Sequence, residues 1–355
     1  MKYRRGLCIL CTVLSLLPLL SACGSTPSQP EADGPRGKSY FSYFDTVSYV
    51  YSYAGDSAER FDELSAEASA ILSEYNELFD IYHEYTGVNN LCTVNKNAGG
   101  DPVSVDEKLI EFLEYAKKLY TATNGEFNMM LGAVLRPWHD AREQAENAPA
   151  EAAVPDPALL KERAEHTDIE LLEIDAANNT VRIADPAASV DVGALGKGYA
   201  VEKAAQRLES LGAESYVLNV GGNIRIIGAR PDGTGWVTGI KDPEAPDERL
   251  ALKLNIRDTS CVTSGVYERY FTVNGVRYHH IIDRDTLFPS AYYSSLTVLT
   301  KDSGLADALS TALFCMSIDE GKAVLSALDE PCDAVWILPD GSIEYTDGVS
   351  KLLAE

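Results

Sequence analysis

The stretch DVGALGKGYAVEKA, residues 191–204, decides the architecture. A short apolar segment feeds a glycine-rich turn that opens into a helix, expected over Tyr199 to Leu211 and closed by Gly212. Gly193, Gly196 and Gly198 let backbone approach a ligand closely, helix-start N–H groups favour an anion, and Lys197 adds a point charge. A P-loop needs Gly at 191 and Ser or Thr at 198, where this chain has Asp191 and Gly198. The dinucleotide fingerprint G-x-G-x-x-G is absent too. Neither of these two nucleotide-binding fingerprints is present. From this stretch alone, a phosphate-binding turn and a purely structural turn both remain open.

The elements on either side come in mixed order. Upstream, Thr46 to Tyr53 suits a strand. Asp56 to Tyr85 has helical spacing, with Phe61, Leu64, Ala68, Ile71, Leu72, Tyr75 and Leu78 on one stripe. Asn89 to Asp101 reads as a polar loop, Asp106 to Thr121 as an amphipathic helix, and Asp140 to Pro157 as an exposed insertion or frayed helix. Ile169 to Ala184 is expected to form a hairpin through Asn178-Asn179. Downstream, Tyr216 to Ile227 reads as strand, Gly221-Gly222 turn, strand, and more strands follow up to Val298. Asp302 to Met316 suits a helix capped by Asp302 or Ser303, and Val335 to Tyr345 a hairpin through Asp340-Gly341. This order, without internal repeats, predicts an α+β fold with mixed or antiparallel sheets and flanking helices, not a doubly wound sheet.

The amino terminus has a different character. Lys2, Arg4 and Arg5 precede an apolar run from Leu7 to Leu20, then Ser21-Ala22-Cys23. Residues 1–22 read as a lipoprotein signal peptide, with Cys23 as the lipid attachment site. The run is short for a membrane span, which needs ~20 residues. Residues 23–39, rich in Ser, Pro and Gly, read as a tether, and 40–355 as the catalytic domain. The formal net charge is −24, and loss of the leader's three cations makes it more negative. Nucleic acid and anionic headgroups repel such a chain, so lipid rather than basic residues is expected to hold it at the cell membrane, on the extracytoplasmic face. Cys92, Cys261, Cys315 and Cys332 are scattered without a CxxC, which argues against zinc. Buried thiols or one disulfide remain open.

Two more constellations bear on chemistry. In ADALSTALF, residues 306–314, Asp307 and Thr311 are four apart and share a helix face. Carboxylate and hydroxyl are hard donors that suit Mg²⁺, although an acid in the first turn and a Thr bonded back to its own helix explain the pair equally well. In Tyr278-His279-His280-Ile281-Ile282-Asp283, an imidazole offers a base near neutral pH, or else a strand-end pair without chemistry.

Taken together with LNVGGNI (218–224), TSGVYERYF (263–271), HHIID (279–283), FDTVSYVYSY (44–53) and NNLCTVN (89–95), these segments give the chain a family likeness. It resembles the ApbE family, the FAD:protein FMN transferases, from about Phe41 to about Leu328. The resemblance implies one catalytic domain related to the T-fold. It places Asp191, Lys197, Gly193 and Gly196 against FAD, and Ile281 where main chain meets the flavin. It makes the Ala194 carbonyl, Asp307 and Thr311 the ligands of Mg²⁺ or another divalent metal. His280 becomes the candidate general base, and Lys197 its electrostatic partner in catalysis. The implied reaction cuts FAD, attaches FMN to Ser or Thr of an exported flavoprotein acceptor and releases AMP.

Three departures from the family pattern stand out. Asn128 takes the place of an acid in Gly125-Glu126-Phe127-Asn128, Arg284 that of Pro, and Leu287 that of Gly in the segment after His280. No acceptor motif of the type Asp-Gly-Ala-Thr is evident, so the chain reads as the modifier. An FAD pyrophosphatase and a flavin-binding lipoprotein are the competing readings.

Overall fold

The computed structural model describes residues 35–354. The expected leader, Cys23 and most of the expected tether lie outside the described residues. Eight strands form the main sheet: Arg36–Tyr43, Thr46–Ser52, Ser215–Val220, Asn223–Gly228, Ser260–Gly265, Ser295–Thr300, Asp333–Ile337 and Ile343–Tyr345. Their order in the sheet is their order in the chain, and every pairing is antiparallel.

Both faces of this sheet are covered, and period-two alternation sends successive side chains to different cores. Val262, Val298 and Trp336 join the core under three helices, Ala58–Phe79, Gly196–Ser210 and Ser303–Ala312. Cys261, Leu299, Val335 and Ile337 join a second core under the hairpin Trp236–Lys241/Leu250–Ile256. The strand Ser295–Thr300 is therefore buried at every position. A third apolar cluster, around Trp138, Phe271 and Ile282, packs the helix Gly132–Asn147 on the hairpin Tyr270–Val273/Val276–His279. The α+β class with antiparallel sheets and flanking helices is as expected. Among the described residues, no helix is long and apolar enough to cross a membrane.

Several expected boundaries move, each for a local reason. The strand at Arg36 begins inside the stretch read as tether, because its residues pair with Thr46–Ser52. The first helix stops at Phe79 rather than reaching Tyr85, because the Asp80 carboxylate accepts the Tyr82 and His83 N–H groups and turns the chain. The expected loop at 89–101 contains the short helix Leu91–Lys96, for which Asn90 is the cap, accepting the Thr93 N–H at 3.1 Å. The stretch from Asp140 belongs to the helix that starts at Gly132 and tolerates Pro137. Ion pairs Arg136–Asp140, His139–Glu143 and Arg142–Glu146, each one turn apart, support it. The glycine-loop helix starts at Gly196, three residues before the expected Tyr199. Cys92, Cys261, Cys315 and Cys332 are free thiols.

Candidate active site

The glycine-rich turn and the acid-bearing helix meet at one atom. No side chain of its own caps the helix Gly196–Ser210. Asp307, on the neighbouring helix, supplies the cap: its Oδ2 accepts the Gly198 N–H at 2.8 Å. The Gly198 N–H is one of the helix-start donors that have no partner within the helix, and Asp307 satisfies it, so that one side chain joins the two helices. No hydrogen bond reaches the Ala194 carbonyl among the described residues. Thr311, one turn after Asp307 and half-buried, makes no side-chain hydrogen bond among the described residues. The back-bond to its own helix is absent there; Ser310 makes it instead, to the Asp307 carbonyl at 2.8 Å. A buried carboxylate, an unengaged carbonyl and an unengaged hydroxyl are a hard-oxygen set that fits Mg²⁺.

Lys197 is the counter-charge. Its Nζ stands 3.6 Å from Asp307 Oδ2 and 3.4 Å from the Gly193 carbonyl. Burial pushes the Asp307 carboxyl above its usual range, against the pull of Lys197 and the Gly198 N–H. Asp191 turns its carboxylate back onto the Gly193 N–H at 2.8 Å, and its own N–H is held by the Met129 carbonyl at 2.8 Å. Burial raises its pKa as well, opposed by Gly193, His139 and Arg269. Gly196 packs on Phe79, and Gly198 lies where the two helices touch.

A Cβ at Gly198 would sit 2.3 Å from the Ser303 carbonyl oxygen and 2.5 Å from Asp307 Cβ. Gly198→Ala is therefore expected to push the helices apart and destabilise by about 1–3 kcal/mol. Chemical denaturation checks this, and an unchanged midpoint would contradict the packing argument.

The two histidines have separate jobs. His279 is buried, and its Nε2 donates to the Ser290 carbonyl at 2.8 Å while Nδ1 accepts the Ile281 N–H at 3.3 Å. It is a neutral structural strut. His280 is exposed along one edge and donates from Nδ1 to the Arg269 carbonyl at 3.2 Å, which leaves Nε2 as an open base. Crowding by protein, then the charges of Arg269 and Lys197, hold it below the usual imidazole range. Lys197 pairs with Asp307, which joins the glycine-rich turn to the acid helix.

His279 also predicts a pH effect. Burial lowers its folded pKa, whereas the unfolded imidazole binds a proton near ~6.5. Below that pH the unfolded chain takes up more protons than the folded one, so stability falls with acid. Relative to His279→Gln, the wild type should lose up to about 1.4 kcal/mol per pH unit below about pH 6. Urea melts of both proteins at pH 7.5 and 5.5 measure this difference, and a constant difference would refute it.

Other expected residues contribute less directly. Both main-chain groups of Ile281 are engaged, the N–H by His279 and the carbonyl by the Ser290 N–H at 3.0 Å. Only the carbonyl's second lone pair is left for a ligand. Asn128 serves structure, accepting from the Met130 N–H and donating to the Thr167 carbonyl.

Sequence reasoning missed Glu202 and Asn223. Glu202 Oε2 takes both the fully buried Arg225 Nε and the Ser303 N–H at 3.1 Å, so it holds the start of the acid helix. Asn223 accepts from Ser303 Oγ at 2.5 Å. It missed Tyr82 and His139 too, whose rings stack at 4.9 Å. Burial, then the Asp191 charge, pushes the Tyr82 phenol up to about 12. Glu202 and Asn223 did lie inside recognisable segments. Tyr82 and His139 come from elements whose boundaries the periodicity misplaced.

Comparison with known proteins identifies the family. The ApbE family model matches residues 45–336. A Treponema pallidum protein named FAD:protein FMN transferase is 34% identical over 303 residues, 80% of this chain and 82% of that protein. One of the same name from Vibrio cholerae is 29% identical over 340 residues, 95% of this chain and 96% of its own. Among solved structures, the ApbE protein of Thermotoga maritima superposes with a TM-score of 0.78 at 26% identity, covering 90% of this chain and 100% of that one. The flavin transferase ApbE from Vibrio cholerae gives 0.73 at 26% identity, covering 90% and 99%. The chain belongs to the ApbE family.

Proposed function

We propose that the chain is an FAD:protein FMN transferase. It cleaves FAD with the help of a divalent metal, Mg²⁺ foremost, and joins FMN by a phosphoester to Ser or Thr of an exported flavoprotein. The observation that carries this is the Lys197 ammonium set between Asp307, which caps the glycine-loop helix, and the Gly193 carbonyl. A cation held by Asp307, the Ala194 carbonyl and the Thr311 hydroxyl would neutralise the diphosphate and polarise its phosphorus. The glycine-rich turn lets the FAD diphosphate approach backbone, and Lys197 stabilises the charge that develops on the leaving phosphate. His280 Nε2 takes the proton of the acceptor hydroxyl. That oxygen bonds to the phosphorus on the FMN side, the P–O bond to the AMP phosphate breaks, and AMP leaves. The exposed edge of His280 also admits water, which favours a second outcome in the absence of acceptor: release of free FMN and AMP.

The test incubates the purified protein with FAD, Mg²⁺ and a candidate acceptor, with and without chelator, and reads in-gel flavin fluorescence and AMP. Transfer that chelator abolishes is expected. AMP release indifferent to acceptor would favour the pyrophosphatase, and tight FAD binding without turnover a binding protein. The proposal also anchors the chain to the extracytoplasmic face of the cell membrane through lipid on Cys23. Cys23→Ala should move it from the membrane to the soluble fraction, and continued membrane recovery would refute the anchor.

A further inference from the structure

Four links close a ring around the cleft. The Asp191 N–H to the Met129 carbonyl, 2.8 Å, joins the glycine-rich turn to the loop at 125–130. Arg284 Nη2 to Glu126 Oε1, 3.0 Å, joins that loop to the histidine loop at 281–290. Ser290 Oγ to the Phe314 carbonyl, 2.7 Å, ties the histidine loop to the turn that continues the acid helix. Gly198 N–H to Asp307 Oδ2, 2.8 Å, returns to the glycine-rich turn. Three of these links use a backbone atom. The Arg284–Glu126 link is made by side chains alone.

The histidine loop needs such a tie. It is a tight turn in which Asp283 Oδ1 accepts the Asp285 and Thr286 N–H groups and the Asp283 N–H reaches the Phe288 carbonyl. Leu287 stands at φ +62°, in the left-handed region that disfavours a side chain. Where the family pattern has Pro, which fixes φ, the chain has Arg284. The guanidinium is part-buried, the side chain being 32% exposed. It lies against Gly125, whose added Cβ would fall 2.2 Å from Nη1, and its Nε is buried without a hydrogen-bond partner. Glu126 is mostly buried, so the pair is shielded from solvent more than a surface ion pair is. Arg284 pairs with Glu126 at 3.0 Å and more loosely with Asp285, whose carboxylate stands 3.8 Å from Nε.

We propose that Arg284 and Glu126 are a positioning pair, which holds the histidine loop so that His280 faces the glycine-rich turn. This rests on His280 being the base of the proposed reaction. The test uses Glu126→Gln, Arg284→Gln, their double variant and the conservative Arg284→Lys, each as the full chain with Mg²⁺ added. Hydrogen exchange of amides 281–290, FAD affinity and the rate of AMP release are measured. Each single Gln variant is expected to speed exchange in 281–290 and to lower kcat about tenfold, since small displacements of a catalytic group have effects of this order or larger. FAD affinity should stay within about threefold, the double variant should be no worse than either single, and Arg284→Lys should recover part of the rate. Exchange in 281–290 unchanged from wild type, losses that add in the double variant, or weakened FAD binding in place of lowered kcat would each overturn the pair's role. Failure of the wild type to release AMP under any divalent metal would instead remove the transferase reading, and the exchange measurement would still decide whether the pair holds the loop.

Discussion

Asp307→Asn is expected to slow AMP release from FAD about a thousandfold, an effect at the upper end of those seen when one preorganised electrostatic group is removed. The substitution is chosen for what it leaves intact. The Asn carbonyl can still accept the Gly198 N–H, so the junction of the two helices keeps its hydrogen bond. What disappears is the negative charge, in a site where Lys197 stands 3.6 Å away and no other carboxylate shares the Gly198 contact. The Lys197 cation is then left partly buried without its partner, and an anion-free hard-oxygen set binds a divalent cation weakly. Stopped assays with AMP quantified by chromatography, across Mg²⁺ concentrations, give the result. A rate within tenfold of wild type at ordinary Mg²⁺ would remove Asp307 from the chemistry.

His280→Ala is expected to lower kcat for transfer about a hundredfold while FAD affinity changes little, because the imidazole acts on the acceptor's proton rather than on the dinucleotide. The Nδ1–H to Arg269 carbonyl bond fixes which nitrogen is free. Burial, then the Arg269 and Lys197 charges, favour the neutral ring, which can accept a proton without first losing one. Added imidazole should restore part of the rate at saturating acceptor. His279→Ala, by contrast, should act mainly on stability, since both nitrogens of that ring are spent on the Ser290 and Ile281 backbone. Equal losses of rate in the two variants at equal folded fraction would show that the division between strut and base is wrong.

Most strands and the three core helices were legible because they are amphipathic or bounded by turn residues. The stripe from Phe61 to Leu78 is buried as its spacing predicts, apart from the partly buried Ile71. Asn179 and Gly341 carry the positive φ that their hairpins need. Periodicity misjudged elements whose ends are set by single side chains. Asp80 stops one helix and Asn90 starts another, yet both residues look like generic loop polarity until the N–H groups they accept are known. The helix from Gly132 was obscured by Pro137, whose penalty is offset by ion pairs one turn apart.

Residue type and spacing along the chain determined the α+β class, the helix face shared by Asp307 and Thr311, and the anion-ready glycine-rich turn, because each depends on local geometry of a few neighbouring residues. Only the tertiary structure decided that the carboxylate of one helix caps the next. It alone separated His279 from His280, and turned Arg284 toward Glu126. Those outcomes depend on contacts between residues as far apart in sequence as 109 and more positions, and such contacts exist only once the sheet and its covering helices have packed.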